Sequence, residues 1–364
     1  MPLELAVVIP TFNERANIAA LIERLDRALA GRGWEAIVVD DDSPDGTADL
    51  TRELGRTDPR VRVIQRIGRR GLSSACIEGM CATAAPVVAV IDGDGQHDET
   101  LLPAMLDRLQ ADAALDLVIG SRFVAGGCTG EWDDDRVAKS ALATRLSRRV
   151  LKADLSDPMS GFFAIRTGLA RSLVPDLSAI GFKILLDLLT TSPRPLRFVE
   201  LPYRFRVRTA GESKLDHVVA LEYVIALYDG MFGHVVPVRF ALFAAVGALG
   251  AAVHFLVLYP LLDMLGVGFR AATIIATIAA MAFNFFLDNA LTYRDARLKG
   301  VRGLLGGLVS FCLVCSVGAI ANVGVAAFLY GAGKGSWAIP ALAGIAVGLV
   351  WNFVLSSRFV WGRY

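Results

Sequence analysis

The sequence predicts an α/β domain with a doubly wound, mostly parallel sheet, followed by an interfacial helix and an all-α transmembrane domain of four helices. Two observations lead to this class. Short β-rich runs alternate with helical patterns in the first third of the chain, and four long apolar runs fill the last third. Of the 364 residues, 54% are hydrophobic, and the mean hydropathy is +0.50, which is too apolar for an ordinary soluble protein.

Charge separates the two parts of the chain. Residues 1–235 carry 28 basic and 33 acidic side chains, whereas residues 236–364 carry 9 and 3. We therefore expect a cytoplasmic domain at 1–215, a linker at 216–236 and a transmembrane domain at 237–364. The linker is apolar but short, which predicts an amphipathic helix in the membrane interface. Nucleic-acid binding is not expected, because residues 1–235 have a net negative charge and their lysines and arginines do not cluster in a run.

Each element of the first domain has its own pattern. Five β-rich runs predict strands, and four runs with helical periodicity between them predict helices. The strands are expected at Leu5–Pro10, Ala36–Asp41, Val61–Gln65, Val87–Ile91 and Leu117–Ser121, and the helices at Ile18–Ala30, Ala48–Gly55, Leu72–Thr83 and Leu101–Gln110. In sheets built this way, ligands bind beyond the carboxyl ends of the strands.

Four runs in the second part are long enough to cross a hydrocarbon core of about 30 Å, which takes roughly 20 helical residues. They are Val238–Leu262, Ala271–Tyr293, Gly303–Tyr330 and Trp337–Val360. The loop 294–302 contains four basic residues, and the positive-inside rule assigns it to the cytoplasm. An even number of spans then predicts a multi-pass protein with both termini and the first domain cytoplasmic. Residues 1–10 lack the pattern of a signal peptide, which agrees with that orientation.

The membrane part contains a repeated motif. Residues 283–289 (FNFFLDN), at the end of the second run, parallel residues 351–357 (WNFVLSS) at the end of the fourth. The repeat predicts two helical hairpins packed through small residues, with Asn284 and Asn352 as interhelical hydrogen-bond partners. Asp288 marks either a polar path or a solvated carboxylate at the interface, and its place near the cytoplasmic end favours the solvated carboxylate.

Polar clusters follow the predicted strands. Residues 10–14 (PTFNE) end the first strand, residues 40–47 (DDDSPDGT) the second, and residues 92–97 (DGDGQH) the fourth. A single cluster such as 42–46 is also typical of turn chemistry and helix capping. Three carboxylate clusters at one edge of a sheet indicate a site for a hard cation or for sugar hydroxyls.

Asp92-x-Asp94 is the motif with the clearest chemistry. Alternate residues of an extended segment point the same way, so the two carboxylates, with the amide oxygen of Gln96, suit Mg²⁺ or Mn²⁺. Such an ion would keep positions open for phosphate oxygens. We expect His97 to be a structural neighbour, because oxygen ligands suit these ions better.

Together these motifs resemble glycosyltransferase family 2, whose nucleotide-sugar enzymes share Pro-Thr-[Phe/Tyr]-Asn-Glu and a D-x-D within one α/β domain of the glycosyltransferase A-type fold. Within it, the sequence is most similar to the dolichol-phosphate (polyprenol-phosphate) mannosyltransferases. That likeness covers about residues 5–216 and is supported by 157–163 (DPMSGFF), 180–186 (IGFKILL) and 208–214 (RTAGESK). The four apolar runs resemble the GtrA-like membrane domain, often fused to lipid-phosphate glycosyltransferases.

The resemblance implies a role for each matching residue. Those expected to bind the donor are Pro10, Phe12, Glu14, Asp41, Asp92, Gly93, Asp94, Arg208 and Lys214. The metal ligands are expected to be Asp92, Asp94 and Gln96, and the acceptor-phosphate residues Arg122, Arg136 and Ser140. The expected catalytic residues are Asp94, Arg122 and Arg208, with Arg206 as an alternative to Arg208. Residues 126–135 depart from the family pattern and are predicted to form an acceptor loop.

The implied reaction transfers mannose from GDP-mannose to dolichyl or polyprenyl phosphate at the cytoplasmic membrane face, with inversion and with Mg²⁺ or Mn²⁺. Two alternatives stay open. One is a UDP-glucose or N-acetylhexosamine transferase that uses the same lipid, and the other is a flippase for lipid-linked sugars with an inactive transferase domain. A processive polysaccharide synthase is disfavoured, because the chain has no Gln-x-x-Arg-Trp.

Overall fold

The computed structural model describes residues 1–128, 155–177, 184–206, 228, 236–332 and 338–362. The chain divides into two compact units, Met1–His234 and Val235–Tyr364, which are considered separately below. The predicted linker 216–236 lies outside the described residues except for Tyr228 and Val236.

The described part of the first unit contains one seven-stranded sheet with the order β3-β2-β1-β4-β6-β5-β7. Its strands are β1 (Leu5–Thr11), β2 (Trp34–Asp40), β3 (Val61–Gln65), β4 (Val87–Val90), β5 (Leu117–Ser121), β6 (Phe163–Arg166) and β7 (Phe198–Pro202). Neighbouring strands are parallel except that β6 runs antiparallel to both β4 and β5. The sheet is therefore mostly parallel, as predicted.

Helices cover both faces of this sheet. They are α1 (Arg15–Ala28), α2 (Thr47–Thr57), α3 (Leu72–Cys81), α4 (Leu102–Ala111), α5 (Thr167–Leu173) and α6 (Ile184–Thr191). Because strand side chains alternate between faces, Leu5, Val7 and Ile9 of β1 pack with α1 and α4. Ala6 and Val8 pack on the other face with α3, α5 and α6. The result is a three-layer α/β domain.

All five predicted strands and four predicted helices of this unit are present, with ends that differ by a few residues. The sequence patterns did not identify β6, β7, α5 or α6. β6 has only four residues, and β7 ends in Pro202, a residue that weakens a strand pattern.

Because β6 runs in the reverse direction, its first residues lie at the edge of the sheet where the parallel strands end. Phe163 pairs with Val90 and with Ile119, near the carboxyl ends of β4 and β5. The segment before β6 therefore lies at the same edge of the sheet as the loops after β1, β2 and β4. This edge is where a parallel α/β sheet binds its ligands.

The second unit contains four long helices in its described part: α7 (Val238–Asp263), α8 (Phe269–Ala290), α9 (Gly300–Ala332) and α10 (Ala338–Phe359). Within them, four segments are long and apolar enough to span a membrane: Val238–Asp263, Phe269–Ala290, Gly300–Asn322 and Leu342–Phe359. The predicted four-span organisation is confirmed.

The two halves of the repeat pack alike. A Cβ built at Gly250 of α7 would overlap the amide of Asn284 on α8, and a Cβ built at Gly318 of α9 would overlap that of Asn352 on α10. Each hairpin therefore packs an asparagine against a glycine, as the repeat predicts for small residues. The prediction of an interhelical hydrogen bond is wrong for the Oδ1 atoms of both asparagines. Each Oδ1 is buried and has no hydrogen-bond partner among the described residues.

Asp288 is buried, with 1% of its surface exposed, so the expectation of a solvated carboxylate is wrong. Thr292 Oγ1 donates to its Oδ1 at 2.7 Å. The neighbouring Asn289 accepts hydrogen bonds from Leu298 N (2.8 Å) and Trp361 Nε1 (3.1 Å). These polar groups therefore join the end of α8 to the segments after α8 and α10.

Candidate active site

The loops after β1 and β2 are joined by hydrogen bonds. Three consecutive backbone N–H groups donate to side chains of the second loop: Asn13 N to Ser43 Oγ (2.9 Å), Glu14 N to Thr47 Oγ1 (3.0 Å) and Arg15 N to Asp45 Oδ2 (3.0 Å). Asn13 (φ 60°) and Asp42 (φ 57°) both adopt the left-handed conformation, which is uncommon for residues other than glycine. The acidic run after β2 thus includes turn chemistry, and its Asp45 fixes the start of α1.

Three of the residues expected at the donor belong to the PTFNE segment, which includes the end of β1 and the loop after it. Pro10 is buried as part of β1, and Phe12 is partly buried beneath Arg70, whose Cζ is 4.1 Å from the ring centroid. The carboxylate of Glu14 is oriented by Asn17, whose Nδ2 donates to Oε2 at 2.7 Å. The sequence segment PTFNE therefore forms one ordered edge of the site.

Asp41, the fourth of these residues, is buried after β2. Arg66 Nη1 donates to its Oδ1 at 2.7 Å, and Gly71 N donates to its Oδ2 at 2.6 Å. Burial raises the pKa of Asp41, while the bond from Gly71 and the charge of Arg66 act against that rise. Arg66 is itself only 2% exposed, so this arginine supports the site from within the fold.

The D-x-D motif lies directly beside the loop after β1. A Cβ built at Gly93 would lie 3.0 Å from Thr11 Cγ2 and 3.4 Å from Glu14 Cγ. Glycine between the two aspartates therefore permits close approach of the two motifs. Two sequence segments about eighty residues apart become neighbours because β4 pairs with β1.

The donor set at D-x-D fits a hard divalent cation in its chemistry. The Asp92 side chain is 37% exposed, and Asp94 follows two residues later, 7% exposed. Gln96 Nε2 donates to the carbonyl of Arg206 at 3.2 Å, which leaves the amide oxygen as the atom suited to an ion. Among the described residues no group of three His, Cys, Asp or Glu side chains could hold a metal ion. Two carboxylates and one amide fill only part of the coordination shell of such a cation, and the remaining positions would suit substrate oxygens.

His97 supports the aspartates as a structural neighbour. Its Nδ1 accepts the backbone N–H of Asp92 at 3.2 Å, and its Nε2 lies 3.7 Å from Asp92 Oδ2. The imidazole stacks on Phe162, with ring centroids 5.2 Å apart and planes at 13°. Because Nδ1 accepts a hydrogen bond, the proton of the neutral ring is on Nε2, facing the carboxylate.

Arg122 forms a buried ion pair that the sequence did not reveal. Its Nε and Nη2 donate to the two carboxylate oxygens of Asp157, both at 2.7 Å, and its backbone N donates to Oδ2 at 3.1 Å. Asp157 is fully buried, and two backbone N–H groups, those of Ser156 and Asp157, bond to Glu200. The sequence feature that contains this partner is the segment DPMSGFF, whose first residue is Asp157. The family resemblance implies no individual role for its residues.

The same segment also supports D-x-D. A Cβ built at Gly161 would lie 3.2 Å from Asp92 Oδ2 and 3.5 Å from His97 Cε1. Ser160 Oγ donates to Gly120 O at 2.6 Å, which fixes the segment to β5. The segment before β6 therefore holds both Arg122 and Asp92 in place.

Arg206, the expected alternative to Arg208, has carboxylate partners in the fold. Its Nη1 and Nη2 donate to Glu99 Oε2 (2.7 Å) and Asp98 Oδ1 (2.8 Å), and its backbone N donates to Gln96 O (2.8 Å). These bonds engage Nη1 and Nη2 of the guanidinium and fix the chain to the loop that follows D-x-D. Arg206 therefore has a positioning role, which sequence spacing alone could not distinguish from phosphate binding.

Four expected site residues lie outside the described residues: Arg136, Ser140, Arg208 and Lys214. Most of the predicted acceptor loop, 129–135, lies outside them as well. The described part of the site brings together the donor segment, D-x-D with Gln96, and Arg122.

A mostly parallel α/β sheet with D-x-D beside a PTFNE loop, in a chain that also carries four apolar helices, is typical of the class of membrane-bound nucleotide-sugar glycosyltransferases. The chain matches the family model "Glycosyl transferase family 2" over residues 6–174 and the model "GtrA/DPMS, transmembrane domain" over residues 242–361. It is an integral membrane protein.

Similar proteins narrow the class. The dolichol-phosphate mannosyltransferase of Pyrococcus furiosus is 34% identical over 99% of each chain. The protein of that name from Saccharomyces cerevisiae is 34% identical over 63% of this chain and 87% of its own. The polyprenol monophosphomannose synthase of Mycolicibacterium smegmatis is 36% identical over 58% of this chain and 80% of its own. The chain belongs to the dolichol-phosphate mannosyltransferases of glycosyltransferase family 2, with a fused GtrA-type membrane domain.

Among solved structures, the chain is similar to glucosyl-3-phosphoglycerate synthase from Mycobacterium tuberculosis, crystallised with Mn²⁺, UDP-glucose and phosphoglyceric acid. The TM-score is 0.50 and the identity 20%, over 63% of this chain and 79% of that one. At this identity the similarity supports the fold alone.

Proposed function

We propose that this enzyme transfers mannose from GDP-mannose to dolichyl or polyprenyl phosphate at the cytoplasmic face of the membrane. The observation that carries the proposal is the match, over 99% of each chain, to a protein named dolichol-phosphate mannosyltransferase. The proximity of Gly93 to Thr11 and Glu14, which brings the D-x-D loop to the PTFNE loop, supports a donor site at this edge of the sheet.

Asp92, Asp94 and Gln96 are the residues that would hold Mg²⁺ or Mn²⁺, and such an ion would supply charge neutralisation for the leaving nucleoside diphosphate. Pro10, Phe12, Glu14 and Asp41 would bind the nucleoside side of the donor. Arg208 and Lys214 would bind its diphosphate, and Arg122, Arg136 and Ser140 the phosphate of the lipid.

The acceptor determines the mechanism. A hydroxyl acceptor needs a general base, whereas a lipid phosphate is already ionised at neutral pH. Its oxygen can therefore attack the anomeric carbon directly and displace the nucleoside diphosphate with inversion of configuration. The basic side chains contribute by holding two anionic substrates in position against their mutual repulsion.

The membrane part would serve as an anchor and organiser. A lipid phosphate is confined to the bilayer with its headgroup at the surface, so attachment of the catalytic domain to the membrane raises the local acceptor concentration. We propose domains at 1–215 and 237–364 joined by an interfacial helix at 216–236, with both termini cytoplasmic.

A donor screen tests the function. The purified full chain is incubated in detergent with a short polyprenyl phosphate and with labelled GDP-mannose, UDP-glucose or a UDP-N-acetylhexosamine. The proposal predicts label in the organic phase from GDP-mannose only. A preference for either UDP sugar would replace the donor assignment, and no transfer from any donor would favour a flippase with an inactive transferase domain.

A variant of the D-x-D motif tests the site. Asp94→Ala is expected to abolish transfer, because the ion and the donor lose a carboxylate ligand. Asp107→Ala is the matched control, since this carboxylate is exposed and pairs with the surface residue Arg32 at 2.5 Å. Retention of activity by Asp94→Ala would contradict the metal assignment.

A further inference from the structure

Tyr203 has a buried hydroxyl group for which no described residue provides a hydrogen-bond partner. The residue is only 4% exposed, and its hydroxyl oxygen has no hydrogen-bond partner there. Buried hydroxyl groups in native proteins are nearly always hydrogen-bonded, because an unsatisfied one retains the full desolvation cost. An exception beside a candidate active site therefore requires an explanation.

The ring is held firmly at the site. Tyr203 packs edge-on against His97, with centroids 5.7 Å apart, and against Phe162 at 5.5 Å. Its backbone N donates to Ser121 O at 3.2 Å, directly before Arg122. His97 is the residue that accepts the N–H of Asp92, so Tyr203 lies between the support of D-x-D and the strand that carries Arg122.

The neighbouring charges are those assigned to substrate binding. The phenol is influenced electrostatically by Arg122 and by the carboxylates of Asp157, Asp92 and Asp94. Burial raises the pKa of Tyr203, and the charge of Arg122 opposes that rise. The hydroxyl therefore keeps its proton at neutral pH and acts as a hydrogen-bond donor.

We propose that the hydroxyl of Tyr203 donates a hydrogen bond to a phosphate oxygen of a bound substrate. The proposal rests on the function given above, in which the D-x-D loop would hold the ion that neutralises the donor diphosphate and Arg122 would bind the lipid phosphate. A neutral donor between these groups suits an anionic oxygen, and the firmly packed ring supplies it in a fixed orientation. The cost of leaving the hydroxyl unsatisfied in the absence of substrate is then recovered on binding.

The test is Tyr203→Phe in the full chain in detergent, because this change removes one oxygen and keeps the ring. The proposal predicts two opposite effects. Without substrates, the variant unfolds at a higher temperature, by about 2 °C or more, since an unsatisfied buried hydroxyl is gone. Its kcat/KM for mannose transfer falls at least about tenfold, since a charge-assisted hydrogen bond is lost.

Separate titrations of GDP-mannose and polyprenyl phosphate distinguish the two sources of the phosphate oxygen. A larger loss of kcat/KM in the GDP-mannose titration assigns the bond to the donor diphosphate, and a larger loss in the polyprenyl phosphate titration assigns it to the acceptor.

Thr167→Val is the matched control. Thr167 is 3% exposed, and its Oγ1 is also buried without a partner in the described ranges. It follows Arg166, which pairs with the first residue of β4, so it lies at the opposite edge of the sheet. This variant should also unfold at a higher temperature while its kcat/KM stays within about twofold of wild type.

Wild-type kcat/KM in Tyr203→Phe for both substrates would overturn the proposal. A fall in its unfolding temperature would also overturn it, because the hydroxyl would then have a partner within the protein. The proposed function fails separately, through absence of mannolipid formation by the wild-type chain.

Discussion

At the residue scale, the site depends on contacts that are local in space but distant in sequence. Asp92 and Asp94 could be proposed as site residues from their spacing, because a D-x-D after an apolar strand has few other uses. Asp157 could not, since it lies 35 residues from Arg122, and only the reversed strand β6 brings the two together. A buried ion pair of this kind has no sequence period, so only the fold reveals it.

Substitution of Gly161 tests whether the packing of the segment before β6 against Asp92 supports D-x-D. Gly161→Ala would place a methyl group 3.2 Å from Asp92 Oδ2, so the carboxylate must move. We expect transfer activity to fall at least about tenfold, because small displacements of positioning groups are costly. Gly168→Ala is the control, since a Cβ there meets nothing within 4 Å. Kinetics of both purified variants check this, and equal activities would refute the supporting role.

Arg122→Lys tests the acceptor assignment while retaining a positive charge. Lysine cannot reproduce the bidentate pair with Asp157, so a phosphate group nearby would lose an oriented donor. We expect KM for polyprenyl phosphate to rise about tenfold with a smaller change in KM for GDP-mannose. Equal changes in both constants would exclude a specific acceptor role.

At the element scale, strand and helix patterns were reliable where the elements are long and the hydrophobic period is clear. The five predicted strands include β1, β2 and β4, whose ends build the donor side. The two strands that the patterns missed, β6 and β7, are short and carry the support for Arg122 and the residues before Arg206. Their place in the sheet is decided by pairing across the chain, which a local pattern does not record.

Arg206 connects the segment after β7 to the loop after D-x-D. We expect Arg206→Ala to lower transfer activity at least about tenfold, because the chain two residues before Arg208 loses its anchor at Asp98 and Glu99. Arg206→Lys should restore part of the activity.

Arg194→Ala is the matched control for Arg206. Arg194 also makes two hydrogen bonds of 2.7 Å to a carboxylate, that of Asp116, but at the amino end of β5. The activity of this variant should stay within about twofold of wild type, because the pair lies at the end of β5 opposite the candidate site. Loss of activity in both variants to the same degree, with equal loss of thermal stability, would show a general structural effect instead.

At the scale of the whole molecule, composition alone distinguishes the globular part of the chain from the membrane part. The positions of the basic residues in the loops are the basis of the proposed membrane orientation. The four spans were predictable because each is a long run without interruption by charge. The packing of Asn284 on Gly250 and the burial of Asp288 were not, because hydropathy records how apolar a helix is and not which of its faces meets another helix.

Labelling from one side of the membrane tests the orientation. In a chain whose five cysteines are replaced, Arg297→Cys lies in the basic loop, and Lys334→Cys lies between the third and fourth apolar runs of the sequence. A membrane-impermeant maleimide added to sealed inside-out vesicles should modify the first variant and spare the second. The opposite pattern would reverse the proposed topology and move the catalytic domain away from the cytoplasm.

The most direct measurement of the central claim is mass spectrometry of the lipid formed by the purified chain from GDP-mannose and polyprenyl phosphate, with and without a chelator. The account predicts a single hexose attached through the phosphate of the polyprenyl lipid, formed only when a divalent ion is present. Formation of that product at an unchanged rate in the chelator, or a sugar attached to anything other than the lipid phosphate, would contradict it.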